Sequence, residues 1–252
     1  MKEKKVILDL CGGTGSWSAP YKEAGYQVHN ITLPKFDVLF TKFSDKEVIF
    51  RKDNNDNYRL RVEYKDIYGI LAAPPCTHFS FARTNAKIPR DLRGAMEIVK
   101  ACLNLIWEVQ YRLNSDQQKY PPLKFWALEN PYFGMLRWFL GKPTLVFDPW
   151  EFGDAYQKRT ALWGYFNEPK KYPVELPKEA KTSTNRGKPP TIWKKEDIIN
   201  IEKHKTNFQE LPKFDQLKTK EIHSEYYGKL DRKARRAITP QGFAKAFFEA
   251  NK

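Results

Sequence analysis

The chain has 252 residues, of which 41% are hydrophobic, and it carries a net charge of +14. These values fit one globular α/β domain, with or without a small appendage, and exclude a disordered chain. No apolar run is long enough to span a bilayer, and the charged first residues are unlike a signal peptide. Three cysteines are too few for a disulfide framework, which predicts a cytoplasmic protein. The positive charge either favours a polyanionic partner or serves solubility.

The predicted elements alternate between strand and helix along the chain. This alternation predicts a parallel, doubly wound sheet. A final helix is predicted with Thr239 as its N-cap and Pro240 in its first helical position. Strands are predicted within 6–10, 26–33, 67–76, 123–131, 144–153 and 160–166, a hairpin within 47–64, and helices over 16–24, 92–113 and 240–251.

The first motif is the glycine-rich turn Asp-Leu-Cys-Gly-Gly-Thr-Gly over residues 9–15, directly after the first strand. Glycines allow sharp turns and close approach of the backbone to a ligand, and the N-terminus of the next helix favours a negative group. A dinucleotide-binding turn would have a third glycine where Ser18 stands. A plain strand–turn–helix connection is the alternative interpretation.

The second motif, Ala-Pro-Pro-Cys-Thr-His-Phe-Ser over residues 73–80, follows the third buried strand. Ligands of open α/β sheets bind beyond the carboxyl ends of the strands, so Cys76 is predicted to lie where reactive groups lie. The prolines stiffen the loop and fix the approach of the thiol. Cys102, on the predicted helix 92–113, is interpreted as a buried apolar residue, and His78 as a packing or hydrogen-bonding residue.

The third and fourth motifs also lie at predicted strand ends. Glu129 and Asn130 close the strand 123–131, where a carboxylate is costly unless it is paired, functional or caps a turn. Gln157, Lys158 and Arg159 precede the strand 160–166, where an arginine either binds an anionic group or lies on the surface.

These four motifs, in this order, resemble the cytosine-5 DNA methyltransferases over residues 6–166 and 233–252. The Pro-Pro-Cys loop is the most specific match. Arg93-Gly94 and the Arg-Ala-Ile-Thr-Pro segment 236–240 resemble two further family elements. The resemblance implies a Rossmann-like S-adenosylmethionine-dependent methyltransferase sheet over 1–166 plus 233–252, with a small DNA target-recognition region at 167–232. The chain looks like a compact enzyme of the phage or mobile-element type.

The resemblance also implies roles for individual residues. Cys76 would add to carbon-6 of a flipped-out cytosine, Glu129 would act on ring nitrogen-3, and Arg159 would lie at the base's carbonyl oxygen. The implied S-adenosylmethionine contacts are Asp9, Cys11, Gly12, Gly13, Thr14, Gly15, Trp17, Asp37 and Pro75, and the implied substrate contacts are Ser80, Arg93, Asn130, Gln157, Arg236 and Thr239.

The chain departs from the family pattern at several positions. Cys11 stands where the family usually has phenylalanine, and Ala161 stands where it has a second arginine. The second predicted strand ends in His-Asn-Ile-Thr-Leu-Pro, without the acidic residue that normally holds the cofactor ribose.

The expected partner is double-stranded DNA, bound by a monomer near the nucleoid of a prokaryotic or phage-infected cell, and no membrane or metal is expected. Methylation of cytosine in RNA by the same chemistry is the first alternative. A catalytically inactive DNA-binding relative is the second, although an intact Cys76, Glu129 and Arg159 speak against it. Methylation of an exocyclic amino group is disfavoured, because Ala73 and Cys76 replace the polar and aromatic residues that this chemistry requires.

Overall fold

A computed structural model of the chain describes residues 4–55, 58–81, 87–115, 122–174 and 237–252, together with positions 230 and 234. The described strands are β1 Val6–Leu10, β2 Gln27–Ile31, β3 Asp37–Phe43, β4 Glu47–Arg51, β5 Leu60–Glu63, β6 Ile67–Ala72, β7 Phe125–Pro131, β8 Leu145–Phe147 and β9 Thr160–Tyr165. The described helices are α1 Ala19–Glu23, α2 Leu92–Ser115, α3 Leu136–Leu140 and α4 Gln241–Asn251, with 3₁₀ turns at Tyr64–Asp66 and Pro149–Phe152.

The main sheet is six-stranded and mixed, in the order β2-β1-β6-β7-β9-β8. Its first four strands are parallel, as the alternating pattern predicts, but β9 runs antiparallel to both of its neighbours. The prediction of a wholly parallel sheet is therefore wrong at this end. The connection from β8 to β9 contains only a 3₁₀ turn. Because a parallel pair would need a longer crossover connection, the two strands pair antiparallel.

A second, three-stranded antiparallel sheet follows the order β3-β4-β5. Its β4–β5 pair confirms the predicted hairpin. Strand β3 was not predicted from the sequence, and it packs beside β4 with an irregular register between Asp37 and Lys42. Residues 145–147 are the only part of the predicted segment 144–153 that forms a strand, because Pro149 begins a 3₁₀ turn.

Two hydrophobic clusters cover the two faces of the main sheet, as expected when strand residues alternate between faces. Leu8 and Leu10 face the cluster that holds the buried side of α2, whereas Ile7 faces the cluster that holds α1 and α4. Helix α2, predicted over 92–113, extends over Leu92–Ser115 and is apolar toward the sheet. Within the described ranges, no helix has both the length and the apolarity of a membrane span.

Helix α4 packs against α1 and the segment before it, in one hydrophobic cluster. Pro240, with φ −54° and ψ 133°, is the N-cap, so the predicted N-cap at Thr239 is one residue early. A Cβ on Gly242 would lie 1.9 Å from the Phe152 carbonyl oxygen, which explains the glycine at this close approach. Trp17, from the segment before α1, packs on Phe243 and Phe247 of α4.

Candidate active site

All four sequence motifs meet at one edge of the main sheet. Leu10 pairs with Ala72, and Ala72 pairs with Leu128, so β1, β6 and β7 end side by side. Because β9 is reversed, its first residue Thr160 pairs with Pro131 at the end of β7. The antiparallel direction of β9 thus brings Arg159 to the edge where the parallel strands end. Strand β2 lies on one side of β1, and β6 lies on the other side. The crevice between the ends of β1 and β6 is therefore a topological switch point, the place where open α/β sheets bind ligands.

The glycine-rich turn after β1 has an unusual backbone. Cys11, Gly13 and Gly15 have φ values of 56°, 55° and 73°, and Cys11 is the sole non-glycine with positive φ among the described residues. The Cys11 amide donates a hydrogen bond to the Ile31 carbonyl, and Gly15 N donates to Gly12 O. A left-handed non-glycine residue costs conformational energy, and such residues cluster at ligand sites. Gly13 lies exposed at the tip, with no atom within 4 Å of a Cβ built on it.

Asp9 is a fully buried carboxyl group under this turn. Its Oδ2 accepts a 2.5 Å hydrogen bond from Ser18 Oγ, whereas its buried Oδ1 has no hydrogen-bond partner among the described residues. Burial raises the pKa of Asp9 to about 6, against the opposing effect of the Ser18 hydrogen bond. A Cβ on Gly12 would lie 2.2 Å from Oδ1, so a glycine is required beside this carboxylate. Burying a carboxylate without full pairing is costly, which favours its protonated form.

This burial predicts a pH-dependent stability that an Asp9→Asn variant should lose. The native protein keeps its proton up to about pH 6 while the unfolded chain releases it near 3.8, so stability falls as pH rises through that window. A shift of roughly two pKa units corresponds to about 3 kcal/mol. We expect urea unfolding to show Asp9→Asn more stable than wild type at pH 7.5, with a much smaller difference near pH 4.

Ser18→Ala is the matched control, because it removes the hydrogen bond that favours the ionised carboxylate. It should lower the free energy of unfolding more at pH 7.5 than near pH 4, opposite in sign to Asp9→Asn. Equal effects of Asp9→Asn at both pH values would contradict the assigned burial penalty.

A cleft of about 520 Å³ opens between the end of β2 and the second sheet, beside the glycine turn. Asn30 joins the two features, because its Nδ2 donates a 3.0 Å hydrogen bond to the Gly13 carbonyl. Its Oδ1 is buried without a hydrogen-bond partner among the described residues. The described lining contains no carboxylate and consists of Val28, His29, Asn30, Thr32, Leu33, Pro34, Lys35, Phe36, Tyr58 and Leu60.

Two predicted cofactor contacts lie away from the open side of the turn. Trp17 is 2% exposed, because its ring is enclosed by the aromatic side chains of α4. The Asp37 carboxylate accepts a hydrogen bond from Leu39 N, and Asp37 is not among the described residues that line the cleft. Trp17 supports the turn from the side of α4, and Asp37 caps the start of β3; their contacts with a cofactor stay predictions.

The Cys76 loop is held in place from two sides. Phe79 N and Ser80 N both donate to the Cys76 carbonyl, which closes a tight turn after the cysteine. Asn130, at the end of β7, donates from Nδ2 to the Pro74 carbonyl at 2.9 Å. Asn130 is only 1% exposed and positions the loop, and its contact with a substrate stays a prediction. Cys76 itself is partly buried and Pro75 is exposed.

His78 connects this loop to the start of α2. Its Nδ1 accepts a 2.8 Å hydrogen bond from Asp91 N, and its carbonyl accepts one from Arg90. The Asp91 carboxylate in turn accepts a bond from Gly94 N, and a Cβ on Gly94 would collide with it. The Arg-Gly motif therefore owes its glycine to the cap of α2, while Arg93 is exposed. Since Nδ1 is engaged by the backbone, a hydrogen-bonding role for His78 is confirmed.

Glu129 lies partly buried on β7, one residue before Asn130. Burial raises the pKa of its carboxyl group, and the charge of nearby Lys158 opposes this only in part. The Lys158 ammonium donates a 2.8 Å hydrogen bond to the Ile238 carbonyl. A carboxyl group with a raised pKa can remain protonated near neutral pH and act as a general acid.

Arg159 is half-exposed, and its guanidinium is oriented by two neighbours. Asp148 Oδ2 lies 3.5 Å from Arg159 Nη1, and the Tyr132 ring centre lies 5.5 Å from the guanidinium carbon. Asp148 is 8% exposed, also accepts a hydrogen bond from Lys158 N, and caps the 3₁₀ turn together with Glu151. Asp148 was not predicted as a site residue, because a carboxylate before Pro149 looks like an ordinary turn cap in the sequence.

The remaining predicted contacts are distributed around this edge. Ser80 and Gln157 are partly buried, and Ser80 bridges to Gly134. Thr14 is partly buried in the glycine turn. Thr239 N donates to Ser16 Oγ at 2.9 Å, which joins the end of the chain to the turn. Arg236 and most of the predicted recognition region, 167–232, lie outside the described residues.

Comparison with known proteins adds no constraint on this site: no protein-family model matches the chain, and no curated protein matches it. The chemistry must therefore be inferred from the groups that the sheet edge brings together. These are a loop thiol, a carboxyl group with a raised pKa, an oriented guanidinium, and a strained glycine turn beside a cleft.

Proposed function

We propose that the protein transfers a methyl group from S-adenosylmethionine to carbon-5 of cytosine in DNA. The observation that carries this proposal is the convergence of the Cys76 loop, Glu129 and Arg159 at one sheet edge next to the glycine turn. The three chemical groups come from three separate elements, and Asn130 ties the first to the second through the Pro74 carbonyl. A shared edge is what a reaction on one small ring requires.

The residues around the glycine turn fit S-adenosylmethionine. The turn is exposed at Gly13, where no atom lies within 4 Å of a built Cβ, so an extended ligand can approach its backbone closely. The cleft beyond β2 has the volume of a nucleoside site, and aromatic Phe36 and Tyr58 lie in its wall. Asn30, at the end of β2, offers a neutral amide oxygen where the family has an acidic residue. When bound, S-adenosylmethionine supplies an electrophilic methyl group.

The protein's own groups account for the remaining chemistry. Carbon-5 of cytosine is a poor nucleophile until the Cys76 thiolate adds to carbon-6. This addition makes the 5,6 bond single and leaves a 4,5 enamine, whose carbon-5 is nucleophilic. Glu129 donates a proton to nitrogen-3 as the thiolate adds, and Arg159 stabilises negative charge on the carbonyl oxygen. After methylation, water accepts the carbon-5 proton, and the restored 5,6 double bond expels the Cys76 thiolate. Nitrogen-3 returns its proton to Glu129, so both residues are regenerated.

A direct test measures transfer of tritiated methyl groups from S-adenosylmethionine to duplex DNA and, in parallel, to tRNA. The proposal expects labelled 5-methylcytosine in DNA. Label in tRNA alone would establish the RNA alternative. Absence of label in both substrates, with a folded protein that binds cofactor, would favour an inactive DNA-binding relative. The net charge of +14 fits either polyanion and does not separate them.

Asp148 is expected to act as a positioning residue for Arg159. Asp148→Asn keeps the shape and the acceptor for Lys158 N but removes the charge that faces the guanidinium. We expect kcat for DNA methylation to fall about 10- to 100-fold with little change in KM, as for a misplaced catalytic group. Steady-state kinetics on duplex DNA would measure both constants.

Glu151→Gln is the matched control for Asp148→Asn. Glu151 belongs to the same capping box, accepting a hydrogen bond from Asp148 N, but it pairs with Lys171 and not with Arg159. Glu151→Gln therefore weakens the same cap as Asp148→Asn, but it leaves the charge that faces Arg159 unchanged. If both variants lowered kcat equally, Asp148 would be a structural residue only.

A further inference from the structure

An exposed aromatic surface borders the Cys76 loop. We define the aromatic platform as the residues Phe81, Phe133, Trp138 and Phe139, which are 37%, 58%, 61% and 51% exposed. The rings of Phe81 and Trp138 lie 5.6 Å apart, and Phe139 lies 6.4 Å from buried Phe79. Exposed aromatic residues in one contiguous surface mark a binding site more often than scattered ones do.

The platform is connected to the candidate nucleophile through the backbone. Phe81 N donates to the Phe133 carbonyl, and Met135 N donates to the Phe79 carbonyl at 2.9 Å. Phe79 N itself donates to the Cys76 carbonyl. These hydrogen bonds join the platform to the loop that carries Cys76.

Positive charge lies beside the platform. The guanidinium carbons of Arg137 and Arg159 lie 5.0 Å and 5.5 Å from the centre of the Tyr132 ring. Tyr132 packs against Phe133 of the platform at 5.2 Å. Aromatic rings interleaved with cations fit a nucleic-acid strand, whose bases stack and whose phosphates are anionic. A base paired within a duplex does not offer its face to such a surface.

We propose that the aromatic platform stacks unpaired bases of the nucleic-acid strand that carries the target cytosine. The inference rests on the proposed function for the identity of the target, but the stacking surface itself needs no cytosine. It implies a preference for sites where the strand is single or locally opened, because only there are neighbouring base faces available.

The test is fluorescence anisotropy with a labelled oligodeoxythymidine, which has no cytosine and so reports strand binding apart from methylation. Trp138→Ala should raise the Kd about 5- to 100-fold, the range expected for loss of base stacking. Phe81→Ala should weaken binding in the same direction, and it provides a second variant if Trp138→Ala does not fold. Wild type should bind an abasic strand of equal length more weakly than it binds oligodeoxythymidine. Trp138→Ala should bind the two strands with nearly equal affinity.

Trp107→Ala is the matched control. Trp107 is 54% exposed on α2, and it lies about 22 Å along the helix from Leu92, at 1.5 Å per residue. Its Kd should equal that of wild type. Unchanged binding by both Trp138→Ala and Phe81→Ala would overturn the proposal, as would a change in oligomeric mass without a change in Kd. Failure of methyl transfer with these binding results intact would count against the proposed function alone.

Discussion

Cys76→Ser is expected to abolish methyl transfer to DNA. A serine hydroxyl is scarcely ionised near neutral pH, and the one histidine of the loop, His78, has its Nδ1 engaged by the Asp91 backbone. That nitrogen is therefore not available as a base for a serine at position 76. Incorporation of tritiated methyl groups into DNA should fall to the level of a reaction without enzyme.

The interpretation of this loss depends on an intact binding site. The turn over residues 9–15 and the Asp9 carboxylate belong to β1 and its loop, whereas Cys76 belongs to the loop after β6. Calorimetry should therefore give wild-type affinity for S-adenosylmethionine and an unchanged melting temperature. A Cys76→Ser protein that methylated DNA at the wild-type rate would remove the nucleophile assignment.

Glu129→Gln is expected to slow the reaction by about 10²- to 10⁴-fold, the range typical of a lost general acid. Burial raises the pKa of Glu129, so the wild-type carboxyl group stays protonated to a higher pH than an exposed one. As pH rises through that pKa the acid is lost and the rate should fall. Glutamine does not titrate, so the alkaline limb of the pH profile should disappear.

Single-turnover rates across pH 5 to 9 would separate this role from a structural one. Wild type and Glu129→Gln should differ in the shape of the profile as well as in its height. If Glu129→Gln lowered the rate equally at every pH and kept the alkaline limb, Glu129 would have a packing role against the cytosine and no role as an acid. Glu129→Asp, which keeps the acid on a shorter side chain, should retain that limb.

The position of the site could be predicted from the sequence because each motif follows a strand pattern. Buried runs such as 6–10 and 67–72 are apolar and are followed by glycine or proline, and strands with these signals form at β1 and β6. Parallel strands end at one edge, so the glycine turn and Cys76 were expected at the same edge, and the pairing of β1 with β6 makes them neighbours. The direction of β9 was not predictable, because hydrophobic pattern carries no information on strand direction.

The supporting contacts were the part that sequence could not supply. Asn130 resembles a substrate contact in the sequence, and only the register between β6 and β7 shows that it holds the Pro74 carbonyl. Trp17 next to a glycine turn resembles a ligand contact until α4, more than 200 residues later, is seen to cover it. Asp148 became recognisable only when β8 and β9 brought it within 3.5 Å of Arg159. Each of these contacts is long-range in sequence.

Covalent trapping tests the central claim most directly. If Cys76 adds to carbon-6, release requires loss of a proton from carbon-5, and fluorine at that position cannot leave as a cation. Wild-type protein, S-adenosylmethionine and duplex DNA containing 5-fluorocytosine should give a denaturation-resistant adduct. Intact-mass spectrometry should show the protein plus the methylated strand, and peptide mapping should place the link at Cys76. A protein that methylates cytosine in DNA yet forms no adduct, or forms one at another residue, would contradict the account.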